Sequence, residues 1–146
     1  MSIIVEGHRG YRAVYPENTL ISYRKAIELG VDAIEFDVWL SKDGVPVIMH
    51  DANTLRITGK DALITEQTLA ELKSLDAGSH KGAEFAGEQI PTLLEILQMV
   101  KAIRPTLRLG VEHHLNLGVR QRNGLAVRAH KARHASRVTH HIPALA

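Results

Sequence analysis

Two carboxylates, Glu35 and Asp37, interrupt the apolar run Ile34-Glu35-Phe36-Asp37-Val38, and an imidazole, His50, follows a short distance on. Apolar Ile34, Phe36 and Val38 alternate with the acids at a period of two. That pattern predicts a strand with both carboxylates on one face, about 7 Å apart. Ser41-Lys42-Asp43-Gly44 is a turn signal, and the chain returns as Pro46-Val47-Ile48-Met49-His50-Asp51. A hairpin centred between Asp43 and Gly44 places Asp37 across from His50. Two carboxylates and an imidazole in one small volume could bind a metal and move a proton. Taken alone, the stretch reads equally well as the wet face of a half-exposed sheet.

Other expected strand ends add to the set. Ile3-Ile4-Val5 is expected to begin a short buried strand running into Gly7-His8-Arg9-Gly10, and Leu107-Arg108-Leu109-Gly110-Val111-Glu112 alternates and ends on a carboxylate. Ionisable groups thus recur at four expected strand ends: His8, then Glu35 and Asp37, then His50, then Glu112. In barrels of parallel strands the chemistry sits at those ends. Glu35, Asp37 and Glu112 are hard oxygen donors suited to Mg²⁺ or Ca²⁺. Arg9 offers a planar fork for phosphate oxygens. His8 and His50 titrate near neutrality and suit general acid and base work. The combined chemistry is metal-assisted cleavage of a phosphate ester.

The elements that must hold these groups follow from the same patterns. Asn18 or Thr19 is expected to cap a helix with Leu20, Tyr23, Arg24 and Ile27 on one face and Gly30 as its stop. Val31 and Asp32 then lead into the carboxylate strand, so the first fifty residues read as a βαβ unit. Residues 53–59 read as irregular and polar. Thr65 is expected to cap a helix over Glu66 to Leu75, and Asp76 to Gln89, with Gly78, Gly82 and Gly87, reads as an exposed loop. Pro91 and Thr92 begin a helix to about Ile103, with Leu93, Leu94, Leu97, Val100 and Ile103 as its core face.

Composition bounds the class. The 146 residues are 45% hydrophobic and 23% charged, ordinary values for a globular domain with a core of its own. With no cysteine, thiolate metal sites and disulfides are excluded. The first residues show no signal-peptide pattern and no run suits a membrane span, so a cytoplasmic location is expected. The net charge of +2 hides an asymmetry. All sixteen acids lie between Glu6 and Glu112, against twelve Lys and Arg up to that point, a net of −4. The 34 residues from His113 to Ala146 carry six Lys and Arg, six of the nine histidines and no acid. The basic pI therefore belongs to the tail, and no nucleic-acid partner is expected for the protein as a whole.

His8-Arg9-Gly10 followed by Pro16-Glu17-Asn18-Thr19 resembles the opening signature of the glycerophosphodiester phosphodiesterase family. Glu35-x-Asp37-Val38, Lys42-Asp43-Gly44-x-Pro46-Val47 and His50-Asp51 resemble its second signature. The likeness continues through Thr68-Leu69-x-Glu71-Leu72 and Ile90-Pro91-Thr92-Leu93 and covers about residues 3 to 112. The resemblance implies an α/β fold of (β/α)₈ TIM-barrel type, a divalent metal, and hydrolysis of small-molecule glycerophosphodiesters to glycerol 3-phosphate and an alcohol. By position it implies His8 and His50 as the acid/base pair, and Glu35, Asp37 and Glu112 as metal ligands. Arg9 would contact phosphate, Glu17 and Asn18 would lie near the site with it, and residues 52–88 would form an insertion.

A (β/α)₈ barrel takes about 250 residues, whereas four strands are expected here by Glu112. The expected fold is therefore the first half of the barrel over residues 1–112, followed by a basic tail over 113–146 that does not resemble the family. The tail is read either as a polyanion-binding module, with a short basic helix over Gly124 to Ala135, or as out-of-frame sequence. The family's Glu-x-Lys pair is absent, since Glu112 is followed by His113-His114. Half a barrel leaves open edges, so self-association and weak or no activity of the chain alone are expected. The alternative to an enzyme is a non-catalytic remnant with a polyanion-binding tail.

Overall fold

A computed structural model describes residues 3–114 and 139–142. Its elements are β1 (Glu6–His8), α1 (Leu20–Glu28), β2 (Ala33–Leu40), β3 (Pro46–Ile48), α2 (Leu55–Thr58), α3 (Leu69–Lys73), α4 (Leu93–Ile103), β4 (Arg108–His113) and β5 (Thr139–Ile142). β1, β2 and β4 are parallel neighbours, and β5 adds to β4 antiparallel. β2 is the central strand. Its Val38 pairs with His113 of β4 on one side and with Ile48 of β3 on the other, so β1 and β3 share the remaining edge.

Among the described residues the sheet is open, as half of a barrel would be. The four strands expected by Glu112 are β1 to β4; β1, β2 and β4 run parallel, and β3 runs antiparallel as the return arm of the expected hairpin. Ile3, Ile4 and Val5, expected to start a buried strand, are exposed, and the strand begins only at Glu6. The expected helix over Gly124 to Ala135 lies outside the described residues.

The period of two in β2 has the predicted result. Ile34, Phe36 and Val38 face α1 and α4 in a core with Tyr23, Ala26, Ile27, Ile96, Val100 and Leu109. Burying a side chain such as Phe36, fully inaccessible here, contributes roughly 2–3 kcal/mol. α1 is capped by Thr19, whose hydroxyl accepts from Ser22 N, and it turns out at Gly30 with φ 85°. Arg24 is exposed, and Ser22 and Ala26 take the core face instead, because small residues let the helix sit close to the sheet.

α4 spans the expected residues with a capping box of Thr92 and Glu95. Its buried residues are Ile96, Met99 and Val100, while Leu94 and Ile103 are exposed. The helix face is set by contact with the sheet, which a stripe of leucines cannot specify when it continues around the cylinder. The expected helix from Glu66 begins instead at Leu69. Thr68, with Glu71, forms the capping box, and Ile64–Glu66 is a 3₁₀ turn.

Residues 52–90 are more ordered than their polarity suggests. β3 divides two cores: Ile48 joins the main one, whereas Val47 and Met49 join a second with Ile57, Ile64, Leu72, Ala77 and Ile90. The loop after α3 is folded around Asp76, whose carboxylate accepts from Gly78 N, Ser79 N and Gly87 N. From this region Lys81 Nζ donates to the carbonyls of Arg12 and Ala13 at 2.8 and 3.1 Å, and Phe85 packs edge-on against Tyr15. The excursion thus braces the loop that follows His8 and Arg9.

Candidate active site

The second face of the sheet carries the ionisable residues. In β2 the alternation opposite Ile34, Phe36 and Val38 gives Glu35, Asp37 and Trp39; in β4 it gives Gly110, Glu112 and, just past the strand, His114. Register aligns His8 with Glu35, Glu35 with Gly110, and Asp37 with Glu112. A Cβ at Gly110 would sit 3.4 Å from Glu35 Cβ and Cγ, so a residue without a side chain makes room for the carboxylate. One donor atom each from Asp37, Glu112 and His114 lie within 4.8 Å of one another. Glu35 is 5% exposed, and its Oε2 has no hydrogen-bond partner, with His8 Nε2 at 3.6 Å. Buried acceptors of this kind are costly unless something fills them.

The loops over this face are tightly built. Arg9 and Asn18 adopt left-handed φ of 57° and 56°, uncommon outside glycine and worth examining where found. Both are held by backbone bonds, Arg9 N donating to Glu35 O at 3.0 Å and Asn18 N to Arg9 O at 3.1 Å. Asn18 Nδ2 donates to Asp37 Oδ2 at 3.2 Å, and the Tyr23 hydroxyl donates to Asn18 Oδ1 from the core side. Arg9 Nε lies 3.6 Å from the same Asp37 oxygen. Asp37 is fully buried and is the hub of the site.

A second line of charges leads away from it. Glu17 Oε1 lies 3.4 Å from Arg9 and 2.7 Å from Arg56, and Arg56 Nε donates to Asp51 Oδ2 at 2.5 Å. Asp51 Oδ1 in turn lies 2.6 Å from His50 Nδ1. With Nδ1 committed to a carboxylate, the His50 ring is oriented and Nε2 is the nitrogen available for proton exchange. Burial pushes the Glu17 carboxyl up, but the hydrogen bond and charge of Arg56, with Arg9 behind it, hold it below its ordinary value.

The hairpin register differs from the expected one. Ser41 pairs with Val45 and Asp37 with Met49, the latter through Met49 N to Asp37 O at 3.1 Å, so His50 is not opposite Asp37. The turn has three residues, Lys42 to Gly44, with Gly44 at φ 79° in the position such a turn requires. Asp43 does not open it as a two-residue turn, because its carboxylate is engaged by Ser41 Oγ and Leu69 N. His50 still reaches the site. Its carbonyl accepts from Trp39 Nε1, and its ring stands edge-on to His114 at 6.3 Å.

The structure brings His8, Arg9, Glu17, Asn18, Glu35, Asp37 and Glu112 onto one face and its rim, with His50 at the side. Sequence reasoning missed three contributors. His114 lies 3.4 Å from Asp37 and stacks on Trp39, and Arg56 bridges Glu17 to Asp51. Glu112-x-His114 repeats the spacing of Glu35-x-Asp37, a signal for His114 that was present in the sequence.

Burial, reinforced by the charges of Asp37 and Glu112, raises the Glu35 carboxyl from 4.5 to about 7. Burial, then Arg9 and Arg12, lowers the His8 imidazole. A carboxyl raised on folding binds an extra proton in the folded state, so its contribution to stability falls as pH rises from about 4.5 to 7. His8 works in the opposite direction below its ordinary value, so the comparison must isolate Glu35. Glu35→Gln is expected to gain stability relative to wild type between pH 5 and pH 8, by on the order of 2 kcal/mol, in urea unfolding with chelator present. A difference that does not change with pH refutes the burial argument.

Among the described residues, the donors that could hold a metal ion are Asp37, Glu112 and His114. Glu35, the third carboxylate of the expected set, is not in that group; it lies on the same face with a buried Oε2 that makes no hydrogen bond. Carboxylate oxygens are the donors that Mg²⁺ or Ca²⁺ take.

Comparison with known proteins follows the same residues. The model of the "Glycerophosphoryl diester phosphodiesterase family" matches residues 8–140. A glycerophosphodiester phosphodiesterase of Caldanaerobacter subterraneus subsp. tengcongensis is 45% identical over 100 residues, covering 68% of this chain and 41% of that protein. Glycerophosphodiester phosphodiesterase 1 of Rattus norvegicus is 34% identical over 112 residues, 75% of this chain and 34% of that one. Among solved structures, an Oleispira antarctica phosphodiesterase in complex with the product sn-glycerol-3-phosphate superposes with a TM-score of 0.72 at 46% identity. That match covers 76% of this chain and 44% of that one. The chain therefore spans about two fifths of the length of the relatives it matches.

Proposed function

The chain belongs to the glycerophosphoryl diester phosphodiesterase family, and from that premise we propose that its polar sheet face hydrolyses glycerophosphodiesters to glycerol 3-phosphate and an alcohol. What supports the reading is the placement of Glu35, Asp37 and Glu112 on adjoining positions of β2 and β4, beside His8 and Arg9. Glu35, Asp37 and Glu112 would hold a divalent ion, Mg²⁺ or Ca²⁺ by their oxygen chemistry, and such an ion supplies positive charge to the phosphoryl oxygens.

The chain's own residues would do the rest. Arg9, held between Asp37 and Glu17, presents its guanidinium to a phosphate oxygen. His8, whose proton affinity is lowered by burial and Arg9, accepts a proton from the attacking water as its oxygen bonds to phosphorus. His50, oriented by Asp51, returns a proton to the departing alcohol oxygen as the phosphorus–oxygen bond breaks. Water is consumed, and one phosphomonoester and one alcohol form. The described residues form an open sheet and by themselves enclose substrate from one side, which would leave desolvation of the reacting phosphate incomplete.

The test is release of glycerol 3-phosphate from glycerophosphocholine by the purified 146-residue chain, with chelator and then with Mg²⁺ or Ca²⁺ restored. Slow metal-dependent release, below about 1 s⁻¹, is expected, and it should vanish in Glu35→Ala and His50→Ala. Release that survives chelation or either substitution would refute the assignment. Turnover well above that rate would refute the role given to the open sheet.

A further inference from the structure

His114 has no role in the hydrolysis just described, yet it is among the most firmly placed side chains at the site. Its ring stacks on Trp39 at 4.6 Å with an interplanar angle of 10°, and its backbone N–H donates to Val38 O at 3.1 Å. Trp39 is itself held by a hydrogen bond to the His50 carbonyl at 3.3 Å. So positioned, His114 Nε2 lies 3.4 Å from Asp37 Oδ1, and its donor atom shares a 4.8 Å cluster with Asp37 and Glu112.

A contact with Oδ1 of Asp37, whose other oxygen accepts from Asn18 Nδ2 and faces Arg9 Nε, accounts for one partner of His114, but not for the buried acceptor on the same face. Glu35 Oε2 makes no hydrogen bond, with His8 Nε2 at 3.6 Å, on a side chain 5% exposed and within the field of both Asp37 and Glu112. Three carboxylates on one face, one of them with a buried oxygen that makes no hydrogen bond, suit a cation, and an imidazole nitrogen beside them can be a ligand for one.

We propose that His114 is a metal ligand through Nε2, joining Asp37 and Glu112 with Glu35 adjacent, and that its nitrogen turns the site from Mg²⁺ and Ca²⁺ towards first-row transition ions, for which Mn²⁺ is the paramagnetic probe. The inference rests on the metal reading of the proposed function. Mg²⁺ and Ca²⁺ take oxygen donors, whereas a mixed oxygen and imidazole set suits first-row transition ions. The stacked Trp39 fixes the ring plane, as outer-sphere partners of ligating histidines do.

The test is Mn²⁺ binding by the full chain, followed by calorimetry and by pulsed electron paramagnetic resonance, with Ca²⁺ as comparison. Nitrogen coupling from an imidazole is expected in wild type and should be lost in His114→Ala. The same substitution should weaken Mn²⁺ binding about tenfold or more and Ca²⁺ binding by less than about threefold. His114→Gln serves the same purpose if the alanine variant loses its far-ultraviolet circular dichroism. No nitrogen coupling in wild type, or coupling that survives in His114→Ala, overturns the proposal while leaving a metal site in place. Loss of inorganic phosphate binding with Mn²⁺ affinity unchanged also overturns it, and identifies His114 as a phosphate contact. If wild type binds none of Mn²⁺, Mg²⁺ or Ca²⁺, the metal reading falls with it.

Discussion

Asp37→Ala should be the most damaging single substitution at the site, lowering stability by about 3 kcal/mol in chelator and hydrolysis by about a thousandfold. The side chain is fully buried and faces Asn18 Nδ2, Arg9 Nε and His114 Nε2. Removing it leaves the Asn18 amide without its acceptor and takes from Arg9 one of its two carboxylates, Glu17 being the other, so their desolvation is less fully offset. Some of the loss is returned because Glu35 loses a repelling neighbour. Asp37→Asn keeps an acceptor of the same shape and should stay closer to wild type in urea unfolding, yet hydrolyse as poorly as the alanine variant. An alanine variant as stable as wild type would sink the view of Asp37 as hub. The stability result stands whatever the substrate proves to be.

Gly10→Ala is the second large effect, and it acts from outside the ionisable set. Gly10 has φ 82°, and a Cβ there would come 2.8 Å from the Ser22 carbonyl carbon, with Ser22 Oγ closer still. The left-handed conformation costs an alanine roughly 1–2 kcal/mol, and the backbone of α1 cannot step aside without losing the Tyr11 N to Ser22 O bond. A total of about 3–5 kcal/mol is expected, with Arg9 displaced at the same time. Gly44 is the control. Its φ is 79° but nothing lies within 4 Å of a Cβ, so Gly44→Ala should cost only about 1 kcal/mol. Equal losses for the two variants would refute the steric part of the argument.

How much was legible in the sequence depended on the range of the interaction. The period of two in Ile34 to Val38 specified both faces of β2, because strand alternation is local geometry. Thr19, Thr92 and Gly30 marked helix ends for the same reason. The hairpin register was missed because Asp43-Gly44 signals a turn without saying how many residues it spans; that was settled by Ser41 and Leu69, the latter 26 residues away. The face of α4 was misjudged because leucines continue around the helix and only the sheet chooses among them. Ile3 to Val5 read as core on hydrophobicity alone, but an apolar run needs a neighbour to bury it, and these three are exposed. The candidate residues His8, Glu35, Asp37, His50 and Glu112 stand out by type and strand-end position, and Glu17 and Asn18 only by resemblance; Arg56 does not stand out, since its partners Glu17 and Asp51 come together only after the excursion through residues 52–90 folds.

The alignment of Asp37 with Glu112, and of His114 beside both, also bears on the order in which the molecule comes together. Asp37 and His114 are 77 residues apart in sequence, whereas the β2–β3 hairpin closes over a few. Loop-closure entropy and contact order place the hairpin early and the docking of β4 late. On that order Glu35 and Asp37 take their places before Glu112 and His114 join them. A cation that needs both pairs can bind only after β4 has docked, so it should slow unfolding far more than it speeds folding.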